Sequence, residues 1–188
     1  MTNCTAAKAR VFAMLDADGD GVISRKEYLA RTENVVRATG RRPDDPLVAA
    51  ARSAGARAWA SMDADGDGGV TFEQYAAWAG AEAFDTVCRP TLGLLFDLAD
   101  TDGDGTVDRT QFLALREALG NPAGNAEAAF EALDTDGDGR ITRAAYLAGI
   151  RAHVTGEGSA MGAALYRSGA ADRPPPVSGS AGPTEPGR

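Results

Sequence analysis

The sequence contains few of the side chains that usually carry catalysis or cross-link a small protein. Its 188 residues include two cysteines, Cys4 and Cys88, and one histidine, His153. Two cysteines so far apart argue against a disulfide framework and a zinc site, and they favour a reducing compartment. Neither cysteine has a histidine nearby in sequence, and the serines lack a nucleophile-elbow motif. We therefore predict that the protein is not an enzyme and that His153 is a solvated cation at a helix end.

Long apolar runs are also missing. The N-terminal run Val11–Leu15 is too short for the core of a signal peptide, and it leads directly into an acidic segment. No stretch approaches the roughly 20 apolar residues that a membrane-spanning helix needs. These features predict a soluble, cytoplasmic protein that does not bind membranes.

Positive charge is scarcer than negative charge, and the negative charge is concentrated. The net charge is −8, from 19 lysines and arginines against 27 aspartates and glutamates. Thirteen aspartates and Glu27 lie in four twelve-residue stretches. An acidic tail or a nucleic-acid-binding surface would distribute charge differently, so we expect a small cation as the partner and no nucleic acid.

The four acidic stretches share the opening D-x-D-G-D-G. They read DADGDGVISRKE at 16–27, DADGDGGVTFEQ at 63–74, DTDGDGTVDRTQ at 100–111 and DTDGDGRITRAA at 134–145. An aromatic residue lies four positions before each stretch, and another follows it directly. These aromatics are Phe12, Trp59, Phe96 and Phe130 before the stretches, and Tyr28, Tyr75, Phe112 and Tyr146 after them. The recurrence indicates one supersecondary unit used four times.

Apolar residues at helical spacing on both sides of each stretch predict a helix–loop–helix unit with its aromatics in a shared core. Position 8 of each stretch is β-branched, which favours short extended segments that pair between loops one and two and between loops three and four. The position-8 residues are Ile23, Val70, Val107 and Ile141. The predicted fold is all-α, with units paired as 6–84 and 85–153. Gly40 and Gly120 are predicted helix ends, and Asp45-Pro46 a helix start.

In sequence terms the units are EF-hands, in which a twelve-residue loop binds Ca²⁺ between two helices. Ca²⁺ takes about six to eight oxygen ligands, so side chains at alternate loop positions must turn inward. The candidate ligands are Asp16, Asp18, Asp20, Val22, Ser24 and Glu27; Asp63, Asp65, Asp67, Gly69, Thr71 and Gln74; Asp100, Asp102, Asp104, Thr106, Asp108 and Gln111; and Asp134, Asp136, Asp138, Arg140 and Thr142. Val22, Gly69, Thr106 and Arg140 would contribute backbone carbonyls.

Position 12 distinguishes the loops, because a bidentate glutamate normally closes the site there. Glu27 meets this requirement, Gln74 and Gln111 offer a neutral oxygen, and Ala145 offers none. Asp108 partly compensates in loop three, while Arg140 and Arg143 add positive charge in loop four. We predict affinity in the order of loop one, three, two and four, with Mg²⁺ as an alternative ion in loops two and three. Glu73 is an alternative ligand in loop two.

Two other classes of protein use related features. Dockerin-like modules also contain D-x-D-x-D-G loops, but they have two closely spaced copies on secreted proteins. A calcium sensor exposes a methionine-rich groove, whereas this chain has four methionines, and Met14 and Met62 are expected in the core. We favour a calcium buffer and keep a sensor as the alternative. The run Pro174–Pro176 is a candidate polyproline ligand, although such tails are more often inert.

Residues 6–166 resemble the calerythrin-like branch of the sarcoplasmic calcium-binding protein family. The resemblance rests on the four loops, the long first interval and the segment GEGSAMGAALYRSG after the last unit. It implies a single compact domain, expected to be a monomer, that buffers cytosolic Ca²⁺. It also implies that residues 154–167 pack in the cleft between helices through Met161, Leu165 and Tyr166. Residues 168–188, rich in Gly, Pro and Ser, are predicted to be disordered.

Overall fold

The computed structural model describes residues 2–167, with side chains from residue 5 onward. The helices are α1 (Thr2–Leu15), α2 (Arg25–Thr39), α3 (Pro46–Met62), α4 (Phe72–Trp78), α5 (Ala81–Ala83), α6 (Arg89–Ala99), α7 (Arg109–Ala118), α8 (Ala123–Leu133), α9 (Arg143–Val154) and α10 (Ala160–Leu165). A π-helical turn, Phe84–Cys88, joins α5 to α6. The strands are β1 (Val22–Ser24), β2 (Gly69–Thr71), β3 (Thr106–Asp108) and β4 (Arg140–Thr142). None of the described helices is long and apolar enough to cross a bilayer.

Two short antiparallel sheets join the loops in pairs, as the sequence predicts. Strand β1 pairs with β2 through Ile23 and Val70, and β3 pairs with β4 through Val107 and Ile141. These four side chains are almost completely buried. The β-branched residue at position 8 therefore has two roles, pairing adjacent loops and anchoring them to the core.

Each loop pair is held together by reciprocal aromatic contacts. In the first pair, Phe12 contacts Tyr75 with ring centroids 5.8 Å apart, and Tyr28 contacts Trp59 at the same separation. In the second pair the ring centroids of Phe96 and Tyr146 are 5.4 Å apart, and those of Phe112 and Phe130 are 5.6 Å apart. The aromatic that enters one unit thus packs on the aromatic that leaves its partner, so neither unit can bury its core alone.

The predicted helix boundaries are confirmed where local chemistry determines them. The Asp45 side chain caps α3 by accepting the Leu47 backbone N–H, and Pro46 begins the helix. Gly40 ends α2 in the left-handed region, at φ 65°. Beyond it, the Arg41 guanidinium donates to the backbone carbonyls of residues 97, 98 and 100 at the end of α6. The linker between the first two units is therefore attached to the third unit.

Helix α10 packs against α8 and α9, and Met161 and Leu165 on it are about 1% exposed. Gly162 makes this packing close, because a β-carbon there would lie 2.4 Å from the Cβ of His153. The Asn121 and Asn125 side chains donate to the Leu165 carbonyl, at 3.2 and 3.1 Å. Residues 168–188, including Pro174–Pro176, lie outside the described residues.

The prediction that His153 is a solvated cation was wrong. His153 is only 8% exposed, and its ring stacks on Tyr166 with centroids 4.7 Å apart. Burial, together with the charge of Arg10, holds the pKa of His153 below its ordinary value. The sequence places His153 at a polar helix end, and only the packing of the following helix buries it.

Candidate metal centres

In loops one, three and four the backbone turns around the aspartate at position 1. In loop one Asp16 accepts the backbone N–H of Gly19 at 2.9 Å and that of Gly21 at 3.0 Å. Asp100 in loop three accepts the corresponding groups at 2.7 and 2.9 Å. In loop four Asp134 accepts only the position-6 N–H of Gly139, at 3.2 Å. These bonds pull the front half of the loop into a tight turn and hold the carboxylates on its inside.

The position-6 glycine explains why all four loops keep the same front half. Its φ lies between 77° and 92° in every loop, a region that side chains with a β-carbon rarely adopt. The residues are Gly21, Gly68, Gly105 and Gly139. The turn reverses the chain there, which brings the aspartates before it and the position-12 side chain after it to one centre.

Carboxylate oxygens converge in each of the four loops. In every loop, three carboxylate side chains each place an oxygen within 4.8 Å of the others. The sets are Asp16, Asp18 and Glu27; Asp63, Asp65 and Asp67; Asp100, Asp102 and Asp104; and Asp134, Asp136 and Asp138. Such clusters of hard oxygen donors fit Ca²⁺ or Mg²⁺ and do not fit softer metals.

Loop two carries a further sign of a cation site. The Trp59 indole donates to one carboxylate oxygen of Asp63 at 3.0 Å. The other oxygen, Oδ1, is buried and has no hydrogen-bond partner in the described chain. A buried carboxylate oxygen without a partner is costly, and a cation in the loop would satisfy it.

Positions 9 and 12 have a second function that sequence reasoning missed. Position 9 is the N-cap of the second helix, and position 12 is its third residue, so the two form a capping box. The Ser24 hydroxyl accepts the Glu27 N–H at 3.2 Å, while the Glu27 carboxylate accepts the Ser24 N–H at 2.8 Å. The same box is formed by Thr71 with Gln74 and by Asp108 with Gln111. In loop four, the Thr142 hydroxyl accepts the Ala145 N–H, but the alanine side chain has no oxygen to accept the Thr142 N–H.

Glu27 also reaches the front of its loop. Its second oxygen accepts the backbone N–H of Ala17 at 2.9 Å and that of Asp18 at 3.2 Å. Burial raises the pKa of the Glu27 carboxyl, but the hydrogen bonds from Ser24, Asp18 and Ala17 outweigh it and leave the pKa below its ordinary value. Glu27 is therefore held ionised at the centre of loop one.

Gln74 and Gln111 occupy the same position as Glu27 and have nearly the same shape. Each presents an amide N–H₂ donor where Glu27 presents a second carboxylate oxygen. The Oε1 atom of Gln74 accepts the Thr71 N–H at 2.7 Å, and its amide nitrogen donates to Asp65 at 2.8 Å. In Gln111 the oxygen accepts the Asp108 N–H at 2.8 Å, and the nitrogen donates to Thr101 at 3.0 Å. The structure therefore turns the amide N–H₂ of each glutamine, and not its oxygen, toward the loop.

The remaining predicted ligands lie on the outer half of each loop. Val22, Gly69, Thr106 and Arg140 each begin a short strand, and Ser24, Thr71, Asp108 and Thr142 each cap a helix. Asp20 accepts the Val22 N–H at 2.8 Å and lies outside the convergent set of loop one. Glu73 is exposed and does not join the carboxylates of loop two.

The charges of loop four act on other parts of the protein. The Arg140 guanidinium contacts the Asp104 carboxylate of loop three and donates to the Thr106 hydroxyl at 2.8 Å. Arg143 pairs with Asp97 on α6 at 2.8 Å. Hydrogen bonds from Thr106, with the charge of Arg140, hold the pKa of Asp104 below its ordinary value. Both arginines were expected to weaken loop four, but Arg140 instead contacts Asp104, a candidate ligand of loop three.

Comparison with known proteins agrees with this geometry. Residues 90–151 match the family model of an EF-hand domain pair, and residues 8–30 match that of a single EF hand. Among solved structures, a Streptomyces coelicolor calcium-binding protein is 27% identical, covers 81% of this chain and 98% of its own, and superposes with a TM-score of 0.68. The chain is a four-EF-hand calcium-binding protein.

More distant EF-hand structures share only the fold. The coelenterazine-binding protein of Renilla muelleri is 22% identical to this EF-hand protein, with 88% of this chain and 95% of the other covered and a TM-score of 0.65. The ctenophore photoprotein berovin is 23% identical, with 75% and 82% covered and a TM-score of 0.55. Among curated proteins, none matches the chain by sequence.

Proposed function

We propose that the chain is an intracellular Ca²⁺ buffer whose four loops have graded affinities. The observation that supports this proposal is the difference in oxygen donors among loops that are otherwise alike. Loop one has three aspartates and an ionised glutamate, loops two and three have a glutamine, and loop four has neither. Because affinity in such loops follows ligand charge and rigidity, the expected order is loop one, three, two and four.

In this proposal the carboxylates at positions 1, 3 and 5 hold the ion, with Glu27 added in loop one, where Asp20 must turn inward to join the set. The backbone of Val22, Gly69, Thr106 or Arg140 would supply a carbonyl oxygen in each loop, and position 9 would act directly or through water. For Gln74 or Gln111 to serve as a ligand, the amide must rotate and give up a hydrogen bond that it makes in this structure. This cost supports a lower Ca²⁺ affinity of loops two and three than of loop one.

Mg²⁺ is a reasonable second ion in loops two and three. It keeps several of its waters and needs fewer protein oxygens than Ca²⁺. The Ca²⁺-binding loops of berovin bind magnesium ions, which supports the same capacity in this fold. At millimolar Mg²⁺ these loops would exchange one ion for another, as buffers do.

The packing of α10 favours a buffer over a sensor. A sensor must expose an apolar groove to its target, whereas Met161 and Leu165 fill the space between α8 and α9. A sensor remains the second candidate because the Streptomyces coelicolor relative is linked to calcium-mediated regulation.

A calorimetric titration with Ca²⁺, in the presence and absence of millimolar Mg²⁺, tests both parts of the proposal. We expect one tight site that Mg²⁺ leaves nearly unchanged and two weaker sites that Mg²⁺ weakens further. The same samples are mixed with a dye that fluoresces on apolar surfaces. A buffer shows no Ca²⁺-dependent rise in dye fluorescence, whereas a large rise would support the sensor.

A further inference from the structure

A cavity of about 80 Å³ lies between the two loop pairs, apart from the metal loops. Its wall is mainly apolar and aromatic, and it includes Tyr28, Tyr75, Trp78 and Phe84. Phe84 belongs to the π-helical turn that interrupts the helix between the two halves. Single π-helical turns are rare and frequently lie at functional sites.

The charges around the cavity are of one sign. Two arginines, Arg31 and Arg116, line it, and none of the described residues that line it is an aspartate or glutamate. Neither arginine makes an ion pair within residues 5–167. An apolar cavity lined by cations without acids attracts an anion.

Arg116 is the most unusual of these groups, because it is a guanidinium that is only 1% exposed. It donates to the hydroxyl of Tyr146 at 2.8 Å and to the side-chain oxygen of Asn121 at 2.6 Å, and neither partner is an aspartate or glutamate. Its Nε atom is buried and has no hydrogen-bond partner in the described chain. A buried charge without a counter-ion is strongly unfavourable, and a ligand carboxylate would supply that counter-ion.

Arg31 repeats the pattern on the other half of the protein. Its Nε atom is also buried without a hydrogen-bond partner among the described residues. The guanidinium lies 5.8 Å from the centre of the Tyr28 ring, a cation–π contact that leaves its hydrogen-bond donors free. Two separate arginines that line one apolar space thus each have a buried Nε atom without a hydrogen-bond partner among the described residues.

From these observations we infer that the cavity binds a small organic acid with a short apolar body. The carboxylate pairs with Arg116 and is attracted by Arg31, while the body lies among Tyr28, Trp78 and Phe84. An engineered cavity of about 150 Å³ holds benzene, so this smaller space fits a short aliphatic chain. None of the loop carboxylates lines the cavity, so this site adds a second kind of ligand to the protein.

The test is an NMR titration of the full chain at saturating Ca²⁺ and constant ionic strength. Sodium butyrate is the probe, butan-1-ol is its neutral counterpart, and acetate has the same charge without the apolar body. We expect saturable shifts of the Arg116 Nε–H and Trp78 indole resonances with butyrate. Binding of the alcohol and of acetate should each be weaker by about tenfold or more.

Variants separate a ligand site from a structural arginine. Arg31→Met should weaken butyrate binding by about tenfold, whereas Arg37→Met, an exposed position on the same helix, should leave it unchanged. Arg116→Met should abolish the preference for the acid over the alcohol if this variant folds. No saturable shift at millimolar butyrate, or equal binding of acid and alcohol, would overturn the inference. Because Ca²⁺ titrations of the same samples are read separately, this result would leave the proposed buffer function untouched.

Discussion

At the scale of single residues, position 12 of each loop combines two functions. It closes the capping box of the second helix in loops one to three, and in loop one its carboxylate also converges with those of Asp16 and Asp18. Glutamine keeps the first function and loses most of the second, while Ala145 loses both. The pattern explains how Gln74 and Gln111 can stand at this position without loss of the fold.

Gln111→Glu should raise the Ca²⁺ affinity of loop three by about one to three decades. The substitution keeps the capping box, replaces an N–H₂ donor with an oxygen, and adds the charge that loop one already has. Calorimetry of the variant against the parent protein measures the change. Thr110→Glu adds the same charge at an exposed neighbouring position and should change the affinity by less than threefold. Equal effects of the two substitutions would show that charge alone, and not ligation, determines affinity.

Arg140→Gln should strengthen loop three, although the residue belongs to loop four. Its guanidinium contacts Asp104, so an incoming ion must displace it from that carboxylate. The pair is partly exposed, and we therefore expect an increase in affinity of only about two- to fivefold, with a smaller effect at high salt. Arg143→Gln removes the same charge from the same unit without contacting a loop carboxylate. The prediction fails if this control strengthens loop three as much.

At the scale of elements, the close contact of α9 and α10 depends on a glycine. Gly162→Ala would place a β-carbon against the His153 ring and should destabilise the fold by about 1–3 kcal/mol. Gly124→Ala on α8 is the matched control, because a β-carbon there meets nothing within 4 Å. Urea unfolding in excess Ca²⁺ measures both variants. Equal stability of the two variants would mean that α10 is not docked closely.

The same contact predicts a pH dependence. The folded-state pKa of His153 lies below the ordinary value of 6.5, so the unfolded chain takes up the proton more readily. The stability that the neutral His153 contributes should be fully present above pH 6.5. It should be lost as the pH is lowered through that value toward the folded-state pKa. Urea unfolding between pH 7.5 and 5.5 should show this loss, and His153→Gln should remove it; a parent protein that gains stability toward pH 5.5 would contradict the account.

At the scale of the whole molecule, features that repeat along the chain could be predicted from the sequence. The loops, the short strands and the aromatic positions follow from local spacing, because the same backbone turn requires the same residues each time. Contacts between distant elements could not be predicted in this way. Arg140 reaches a loop that precedes it by 36 residues, and His153 is buried by a helix that follows it. Periodicity shows which face of a helix is apolar and leaves its partner undetermined.

The central cavity illustrates the same limit. Arg31 and Arg116 lie on different helices and look like ordinary surface charges in the sequence. Only the packing of the two halves brings them to one space, which the π-helical turn helps to enclose. The proposed ranking of the loops, in contrast, rests on the residues at positions 9 and 12 alone.

The most direct test of the graded loops is an NMR titration with Ca²⁺ that follows the backbone N–H of the position-6 glycines. Each of these groups lies inside one loop, so Gly21, Gly68, Gly105 and Gly139 report the four sites separately. We predict that Gly21 saturates first, followed by Gly105 and Gly68, and that Gly139 responds only at the highest Ca²⁺ concentrations. Saturation of Gly139 together with Gly21, or before it, would contradict the account.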